Sequence, residues 1–436
     1  MKFKSTRNQL EATLDQALLT GLAADGGLYV PAELPTFSLS EFPAGDDVGD
    51  IARHYLAPFF ADSALRDALD EIIAETYAFP LPLVDLSAIV DAPLSVLELF
   101  HGPTAAFKDV GAGFLAACLT RLDAATNDPL PLTILVATSG DTGGAVASAF
   151  HQRPGTEVIV LFPNGRVSPR QQHQLTCWGD NVRAFAVEGE FDDCQRMVKE
   201  AFVDASLTAR FRFSSANSIN IGRLLPQSVY YVLSSLAYYR RHGEPLSFLI
   251  PTGNLGNGLA AVLARACGLP IGDITLVTNE NRTISDFMMS GEYQPRSSVA
   301  TLASAMDVGA PSNLERLRYL FGDNEALRRL NINAVSVSDD AIRERIRADA
   351  DRMPFAWCPH SATAMHVWAQ QDSESRQRHQ AVVATAHPAK FETIVEPIIG
   401  SNVAVPESLA ALLHRPANFQ TIAPNLADLI AAVSQA

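Results

Sequence analysis

One of the five lysines in this sequence stands where an amine can do chemistry. The lysines are Lys2, Lys4, Lys108, Lys199 and Lys390. Lys108 follows an apolar run and a turn, begins a predicted helix, and is crowded by Phe107 and Phe114. Burial and the positive end of a helix both lower the pKa of a lysine amine. We therefore predict that Lys108 is an amine nucleophile or base, the alternative being a surface lysine beside Asp109.

Two glycine-rich turns offer backbone amides to an anion. In residues 136–150, VATSGDTGGAVASAF, an apolar run ends in a turn that also carries the hydroxyls of Ser139 and Thr142. In residues 249–267, LIPTGNLGNGLAAVLARAC, a second apolar run ends in glycines before another helix. Backbone N–H groups at such helix starts bind carboxylates and phosphates. Each turn alone has a plainer explanation, since glycines also let a helix and a strand approach closely.

The second turn differs from the common nucleotide-binding loops. It lacks the G-K-[ST] ending of a P-loop, and its glycine spacing is not G-x-G-x-x-G. A small phosphomonoester therefore fits it better than a nucleotide. Two anion sites and a crowded lysine together indicate a phosphorylated cofactor that a lysine holds covalently, which is the chemistry of pyridoxal phosphate.

The elements that must position these residues follow from hydrophobic patterning. From about residue 91, short apolar runs alternate with helix-like stretches, which predicts an α/β fold with mostly parallel sheets. The predicted strands are 94–100, 132–138, 158–162, 182–187, 248–252, 274–278 and 381–385. The amino-terminal region is predicted to be mainly helical. One helix is predicted from the capping-box spacing of Asn8 and Glu11, and another from the apolar face of Leu65, Leu69, Ile72, Ile73 and Tyr77.

These patterns divide the chain into three parts. Residues 1–90 are predicted to form the mainly helical amino-terminal region. Residues 91–130 and 214–436 are predicted to form a larger α/β domain that binds the cofactor, and residues 131–213 a smaller α/β domain. The two lobes are interleaved in sequence, because the chain leaves the larger one and returns to it.

Composition excludes several classes of protein. The chain has 33 basic and 48 acidic residues, a net charge of −15, and no dense Lys/Arg run, which argues against nucleic-acid and anionic-membrane partners. Residues 1–10 contain no apolar signal segment, and no run of 18 apolar residues predicts a membrane span. The five cysteines are scattered without a C-x-x-C pair. We expect a cytoplasmic enzyme in a reducing compartment.

Seven segments carry a resemblance to a known family, in that family's order. They are DGGLYVP (25–31), HGPTAAFKD (101–109), SGDTGGA (139–145), NSINIGRLLPQ (217–227), PTGNLGNGLA (251–260), ASAMDVGAPSNLER (303–316) and TAHPAKFE (385–392). The chain resembles the threonine synthase family, in the tryptophan-synthase-β-like group of pyridoxal-phosphate enzymes with fold type II. GDTG and GN-x-GN indicate only the wider group, whereas DGGLYVP and AMDVGAPSN narrow the resemblance to this family.

The resemblance implies a role for each motif residue. Lys108 would form the Schiff base with pyridoxal phosphate and move protons, Thr385 would lie beside the pyridine nitrogen, and Asp141 would lie near the cofactor's 3′-oxygen. The cofactor phosphate would be held by Gly253, Asn254, Leu255, Gly256 and Asn257. The substrate carboxylate would be held by Ser139, Gly140 and Thr142. The substrate phosphate would be held by Asn217, Ser218 and Arg223.

The resemblance also implies an activity, a carbon–oxygen lyase reaction on a phosphate ester. O-phospho-L-homoserine and water would give L-threonine and phosphate through a cofactor-stabilised carbanion, γ-elimination of phosphate and β-addition of water. The alternatives are a phospho-lyase that gives 2-oxobutyrate and a catalytically silent cofactor-binding protein. The expected partner is the small-molecule substrate, and the expected assembly is a monomer or a homodimer.

Other residues were weighed for the same chemistry. Lys390 competes with Lys108 for the cofactor aldehyde, but it has no glycine-rich neighbourhood and the resemblance places it outside direct contact. A metal site from Cys358, His360, His366 and His387 lacks a helical His-x-x-x-His spacing, so no metal is predicted. His101 and His387 are expected to be packed, hydrogen-bonded neighbours of the site.

Overall fold

Three sheets organise the computed structural model, which describes residues 1–126 and 128–434. The first is antiparallel, has the order β2-β1-β3, and lies in the amino-terminal region. Its strands are β1 (Phe3–Ser5), β2 (Glu11–Ala12) and β3 (Tyr29–Pro31). None of the helices in these two described ranges is long and apolar enough to cross a membrane.

The second sheet has six strands in the order β12-β11-β10-β13-β5-β4. Neighbouring strands are parallel except at the edge, where β4 runs antiparallel to β5. The strands are β4 (Leu83–Asp85), β5 (Leu94–Glu98), β10 (Leu246–Pro251), β11 (Ile271–Thr278), β12 (Ile332–Ser336) and β13 (Gln380–Ala384).

The third sheet has five parallel strands in the order β14-β8-β7-β6-β9. They are β6 (Leu132–Ala137), β7 (Thr156–Pro163), β8 (Val182–Val187), β9 (Arg212–Ser214) and β14 (Gln420–Ile422). All seven strands predicted from apolar runs are present, because a strand buried on both faces needs a continuous apolar run. The mostly parallel α/β architecture is therefore confirmed.

Helices follow most of the parallel strands and cover both faces of the two larger sheets. The α-helices are α1 (Leu14–Thr20), α2 (Val48–Phe60), α3 (Leu69–Thr76), α4 (Ser87–Val90), α5 (Lys108–Ala124), α6 (Asp141–Phe150), α7 (Pro169–Thr176), α8 (Phe191–Val203), α9 (Ala205–Thr208), α10 (Ile221–His242), α11 (Gly256–Ala266), α12 (Thr283–Ser290), α13 (Asn313–Phe321), α14 (Asn324–Arg329), α15 (Asp339–Asp349), α16 (Pro359–Ala369), α17 (Glu392–Ile399), α18 (Glu407–Leu413) and α19 (Leu426–Ser434).

Alternation along the strands divides the core into layers. In β5, Leu97 belongs to the largest apolar cluster, which also contains residues of α2, α5 and α10, while Val96 belongs to a second cluster with α15 and α16. In β6, Ile134 joins the largest cluster, while Leu135 joins a third cluster with α8 and α19. Because both faces of each sheet are buried, the strand ends are where polar groups can gather.

The amino-terminal region corrects one sequence-based prediction. The first helix begins at Leu14, where the Thr13 side chain accepts from the Gln16 N–H, so the helix is not capped by Asn8 and Glu11. Glu11 lies in β2 instead, because β1 pairs with it. The second predicted helix of this region, the one with an apolar face, is confirmed as α3, which buries Leu69, Ile72 and Ile73.

The carboxyl-terminal segment also departs from the predicted division. Strand β14 pairs with β8, so residues from 420 onward join the five-stranded sheet, whereas the sequence placed them in the larger domain. This strand has three residues and buries only Ile422, which is too little for a hydrophobic pattern that predicts a strand. Its position in the sheet depends on pairing with β8 and on packing against the third cluster. The domain boundaries themselves stay a prediction.

Candidate active site

Four strand-to-helix turns lie at the carboxyl ends of parallel strands, where α/β sheets bind ligands. The chain leaves β5 towards Lys108, β10 towards Gly253, β13 towards Thr385 and β6 towards Ser139. The first three strands are adjacent in the six-stranded sheet, in the order β10-β13-β5. Three of the sequence-predicted segments therefore share one edge of one sheet.

Lys108 is the first residue of α5, and the segment before it runs alongside the end of β13. The Phe107 N–H donates to the Thr385 carbonyl oxygen at 2.8 Å, and the His387 N–H donates to the Ala105 carbonyl oxygen at 3.0 Å. These bonds fix the start of α5 against the segment that contains Thr385. The predicted placement of Lys108, after a strand and at a helix start, is confirmed.

The Lys108 side chain is 14% exposed, and its Nζ lies 4.5 Å from the Phe107 ring centroid. Its Nζ is 3.6 Å from Oδ2 of Asp141. Burial lowers the pKa of Lys108, and the charges of Lys390 and Arg223 lower it further, while Asp141 opposes them. The amine can therefore lose its proton more easily than an exposed lysine.

Asp141 begins α6 and is almost fully buried between two lysines. Its Oδ1 lies 3.1 Å from Lys390 Nζ and accepts from Gln171 Nε2 at 3.1 Å. Burial alone favours the neutral acid, yet the charges of Lys390 and Lys108 hold the pKa of Asp141 well below its ordinary value. A permanent carboxylate therefore faces Lys108.

The turn before α6 presents unpaired amides. Thr138 Oγ1 accepts from the N–H groups of Gly140 at 3.0 Å and Gly143 at 2.9 Å, which holds the turn closed. Gly140 has φ of +136°, and a Cβ there would lie 2.6 Å from Gln171 Nε2, so only glycine fits. Within the described chain, no residue accepts from the backbone N–H groups of Ser139, Asp141 and Thr142.

The loop between β10 and α11 forms a second set of unpaired amides. Leu255 adopts a left-handed φ of +64°, and a Cβ on Gly253 would lie 2.7 Å from Met306 Cα. Among residues 1–126 and 128–434, none accepts from the N–H groups of Gly253, Asn254, Leu255, Gly256 and Asn257. Free amides at the start of an 11-residue helix suit a phosphate group.

A hydrogen-bonded cluster holds this loop beside the segment of Ser218. The Asn254 side-chain amide donates to Ser218 Oγ. Asn313 Nδ2 donates to the carbonyl oxygens of Asn254 at 2.9 Å and Ser218 at 3.2 Å. Asn217 is half-buried nearby, and its N–H donates to Ser215 Oγ at 3.3 Å. The structure thus brings the predicted cofactor-phosphate loop next to the predicted substrate-phosphate segment.

Arg223 lies in the first turn of α10 and is 3% exposed. Its Nη1 donates to the Ala216 carbonyl oxygen, while its buried Nε has no partner among the described residues. A Cβ on Gly111 would lie 2.9 Å from that Nε, so the glycine lets Arg223 approach α5. Burial lowers the pKa of Arg223 to about 10, which still leaves it charged at neutral pH. A buried cation with an unpaired donor suits an anionic ligand.

Thr385 is buried at the end of β13. Its N–H donates to Ser361 Oγ at 3.1 Å, and its carbonyl oxygen accepts from Phe107. No described residue bonds its hydroxyl. The threonine thus has a fixed backbone and an available neutral hydroxyl.

Sequence reasoning missed several residues that hold the site together. Thr138 supports the turn of Gly140, Gln171 reaches Asp141 from α7, and Asn313 joins the two phosphate segments. Thr104 donates its N–H to Asp109 Oδ2 at 2.9 Å. Thr104, Thr138 and Asn313 all lie in or next to the motifs quoted above, but only their side-chain direction in the fold reveals their role.

The residues weighed as a metal site do not converge. Among residues 1–126 and 128–434, no cluster of three His, Cys, Asp or Glu side chains has metal-binding geometry. His360 Nε2 accepts from the Ala305 N–H at 3.0 Å, and Cys358 pairs with Ser361 at 3.1 Å. His101 Nε2 is 2.7 Å from Glu98 Oε2, and His387 Nδ1 accepts from the Ala389 N–H at 3.2 Å. Both of these histidines are hydrogen-bonded, as predicted.

The arrangement fits pyridoxal phosphate. The cofactor requires an accessible lysine amine, a cradle for a phosphate and a polar partner for its ring. The structure supplies Lys108 with a lowered pKa, five unpaired amides in residues 253–257, and the available hydroxyl of Thr385. All three lie at one edge of one sheet.

Three family models match the chain. The model for pyridoxal-phosphate dependent enzymes matches residues 75–387, the model for the threonine synthase N terminus matches residues 2–77, and the model for the threonine synthase C-terminal region matches residues 361–433. Together they cover nearly the whole sequence.

Curated relatives and solved structures agree with the family models. The chain is 36% identical to the threonine synthases of Escherichia coli and Serratia marcescens, over 93% and 96% of its length and 92% and 95% of theirs. The crystal structure of pyridoxal-phosphate-bound threonine synthase from Brucella melitensis superposes with a TM-score of 0.90 at 35% identity, covering 100% of this chain and 99% of that one.

Proposed function

The chain belongs to the threonine synthase family of pyridoxal-phosphate-dependent enzymes, and on that premise we propose that it converts O-phospho-L-homoserine and water into L-threonine and phosphate. One observation carries the proposal. The Lys108 amine lies 3.6 Å from Asp141 of one turn with unpaired amides, shares a sheet edge with the second such turn, and is near Arg223, whose Nε has no partner among the described residues. An amino acid that carries both a carboxylate and a phosphate needs that combination of sites.

The cofactor would be held by residues of this chain at three points. Lys108 would bind its aldehyde carbon, the amides of residues 253–257 would bind its phosphate, and Thr385 would lie beside its pyridine nitrogen. Pyridoxal phosphate, when bound, supplies an electron sink that stabilises negative charge on the substrate carbons. A neutral hydroxyl such as that of Thr385 does not enforce a proton on the ring nitrogen. Asp141, near the 3′-oxygen, would keep its negative charge.

Lys108 would move the protons of the reaction. Its lowered pKa raises the share of the amine that is unprotonated and able to accept a proton. We propose that it takes a proton first from Cα and then from Cβ of the substrate, and later returns a proton. The bonds of Phe107 and Ala105 to the 385–387 segment hold the backbone at the start of α5, from which the Lys108 side chain extends.

The two charged ends of the substrate would be bound by different elements. The unpaired N–H groups at Ser139 and Thr142, together with the turn at Gly140, suit the carboxylate. The guanidinium of Arg223, with Asn217 and Ser218, suits the phosphate that leaves from Cγ. With both ends held, Cα and Cβ of the substrate would lie between the two anion sites, within reach of the Lys108 amine that moves their protons.

The proposal also covers the cellular compartment, the assembly and the partners of the protein. All five cysteines are buried and free, which supports a reducing cytoplasmic compartment. The expected assembly stays a monomer or a homodimer. We propose that no nucleic acid is a partner, because the net charge is −15.

Product analysis tests the function. The pure protein is incubated with pyridoxal phosphate and O-phospho-L-homoserine, and threonine, phosphate, 2-oxobutyrate and ammonia are measured. Equal amounts of threonine and phosphate are expected. Appearance of 2-oxobutyrate and ammonia would replace the proposal with a phospho-lyase. Absence of turnover, with normal cofactor binding, would make the chain a catalytically silent relative.

A further inference from the structure

Lys390 has the least solvent contact of the lysines in the described chain. It lies in the short 3-10 helix Pro388–Phe391 that follows β13, and its side chain is 0% exposed. Its Nζ donates to the Thr104 carbonyl oxygen at 2.6 Å and lies 3.1 Å from Asp141 Oδ1. A fully buried ammonium is costly unless it is paired and hydrogen-bonded, and these two contacts supply both conditions.

Asp141 has two lysines as neighbours, and Lys390 is the closer one. The Lys390 nitrogen is within hydrogen-bond distance at 3.1 Å, whereas the Lys108 nitrogen is 3.6 Å from the other oxygen. Gln171 adds a second contact to Oδ1, the oxygen that Lys390 contacts. The carboxylate therefore keeps a bonded cation even when the Lys108 amine carries no charge.

The support for Lys390 comes from both large sheets. Lys390 follows a strand of the six-stranded sheet, while Asp141 follows a strand of the five-stranded sheet. Ser168 Oγ, just before α7, donates to the Lys390 carbonyl oxygen at 2.7 Å. Gln174 Nε2 of α7 donates to the same Thr104 carbonyl oxygen that Lys390 contacts, at 3.1 Å. The Lys390 ammonium thus lies between the segment after β13, in the six-stranded sheet, and the segment that contains Asp141, which follows a strand of the five-stranded sheet.

Other charged or titratable groups surround the Lys108 amine and the Asp141 carboxylate. Arg223 of α10 faces Lys108, and Asp109 lies next to it on α5 with Thr104 as its donor. His360 of α16 faces Asp141 and is kept neutral by burial. Cys358, at the start of α16, also faces Asp141, and burial raises the pKa of its thiol. Of the cations around Asp141, Lys390 makes the shorter ion pair, at 3.1 Å against 3.6 Å for Lys108.

We propose that Lys390 is the resident counter-charge of Asp141, a positioning residue that keeps this carboxylate ionised and in place while the Lys108 nitrogen gains and loses its proton. The proposal rests on the proposed role of Lys108 and deepens it. Without Lys390, the Lys108 nitrogen would become the nearest cation to Asp141 and would hold its proton more tightly. A lysine that keeps its proton has no lone pair to bind the cofactor or to accept a substrate proton.

A spectral titration of the holoenzyme tests the proposal. When Lys108 binds the cofactor aldehyde, its nitrogen forms a bond to the aldehyde carbon, and the carbonyl oxygen leaves as water with both amine protons. The absorbance of the linked cofactor then reports the protonation of that nitrogen. In Lys390→Met, we expect the midpoint to rise by one pH unit or more, a tenfold gain in proton affinity. In Lys390→Arg, which keeps the charge, we expect the midpoint to stay within a few tenths of a unit.

A second pair of variants protects the test against misfolding. Asp141→Asn is expected to lower the midpoint, and Asp141→Asn with Lys390→Met is expected to return it towards that of the unmodified protein, because both charges are then gone. Lys199→Met, on an exposed face of α8, is the control and should not move it. An unmoved midpoint in Lys390→Met, or a double variant that behaves like Lys390→Met, would overturn the proposal. If the midpoints shift as expected but the protein does not make threonine, only the proposed function is overturned.

Discussion

The Arg316 guanidinium is fully buried and donates from Nε to the backbone carbonyl oxygen of Tyr29 at 2.9 Å. The same side chain donates to the Ile219 carbonyl oxygen at 2.6 Å and to Asn313 Oδ1 at 2.7 Å. Tyr29 belongs to β3, and Ile219 directly follows Ser218, a predicted ligand of the substrate phosphate, two residues before α10 begins. One arginine therefore joins the amino-terminal sheet to the proposed substrate-phosphate segment.

Replacing Arg316 should cost both stability and phosphate affinity. In Arg316→Met, buried carbonyl oxygens lose their donors, and each such loss costs about 1–3 kcal/mol. We expect the free energy of unfolding in urea to fall by at least about 2 kcal/mol and the KM for the phosphorylated substrate to rise. Arg318→Met on the same helix is the control, because Arg318 is exposed and should change stability by less than about 1 kcal/mol.

Lys108→Ala should remove the covalent link to the cofactor. A positioned acid–base group contributes roughly 10²- to 10⁴-fold to a rate, so we expect at least that loss in threonine formation. The absorbance band of lysine-bound cofactor should also disappear, while the protein still binds the cofactor phosphate. Lys199→Ala is the matched control. A normal band in Lys108→Ala would assign the link to another lysine, and Lys390 would be the first candidate.

Arg223→Lys tests the phosphate site. Lysine keeps the positive charge but loses the fork geometry of the guanidinium, and a hydrogen bond to a charged group is worth roughly 1.5–3 kcal/mol. We expect kcat/KM to fall roughly tenfold to a hundredfold, with turnover reduced as well. Arg241→Lys, at the exposed end of the same helix, should behave like the unmodified enzyme. Undiminished turnover in Arg223→Lys would contradict the proposed role of Arg223 in holding the phosphate that leaves from Cγ.

Gly253→Ala should weaken cofactor binding. An added Cβ would lie 2.7 Å from Met306 Cα, so the loop must move and its free amides with it. We expect the dissociation constant of pyridoxal phosphate, measured by fluorescence titration, to rise tenfold or more. Gly113→Ala is the control, since a Cβ there meets no atom within 4 Å. Alanine also favours a helix more than glycine does, so this variant should not be destabilised. Equal affinity in the two variants would argue against a phosphate cradle at Gly253.

Acid should destabilise the fold through His360. Burial lowers the pKa of His360 to about 4 from an ordinary value near 6.5, and its Nε2 accepts from the Ala305 N–H, which a second proton would prevent. The stability from neutral His360 is therefore present above pH 6.5 and is lost as the pH falls towards 4. Urea unfolding between pH 7.5 and 4.5 should show a smaller loss in His360→Gln, whose amide oxygen can accept the same N–H. His366→Gln, at the other end of α16, is the comparison.

Most of the local structure could be predicted from the amino-acid sequence. All seven strand predictions held, because a strand buried on both faces must be a continuous apolar run. The turns at Ser139 and Gly253 were also readable as candidate anion sites, since each places glycines between an apolar run and a helix, although either turn alone has a plainer explanation. The helix start failed at Asn8, where capping-box spacing occurs by chance and the true cap, Thr13 with Gln16, was a second match only five residues on.

Contacts between residues that are distant in the sequence could not be predicted, because they depend on how the whole chain folds. Nothing local in TAHPAKFE shows that the Lys390 side chain is buried against Asp141, and nothing local in SNLER shows that Arg316 reaches Tyr29. The short strand Gln420–Ile422 likewise found its sheet through packing rather than pattern. The spacing of apolar residues shows which face of a helix or strand is buried. The pairing of buried charges depends instead on how the two large sheets are placed, which is a property of the folded chain.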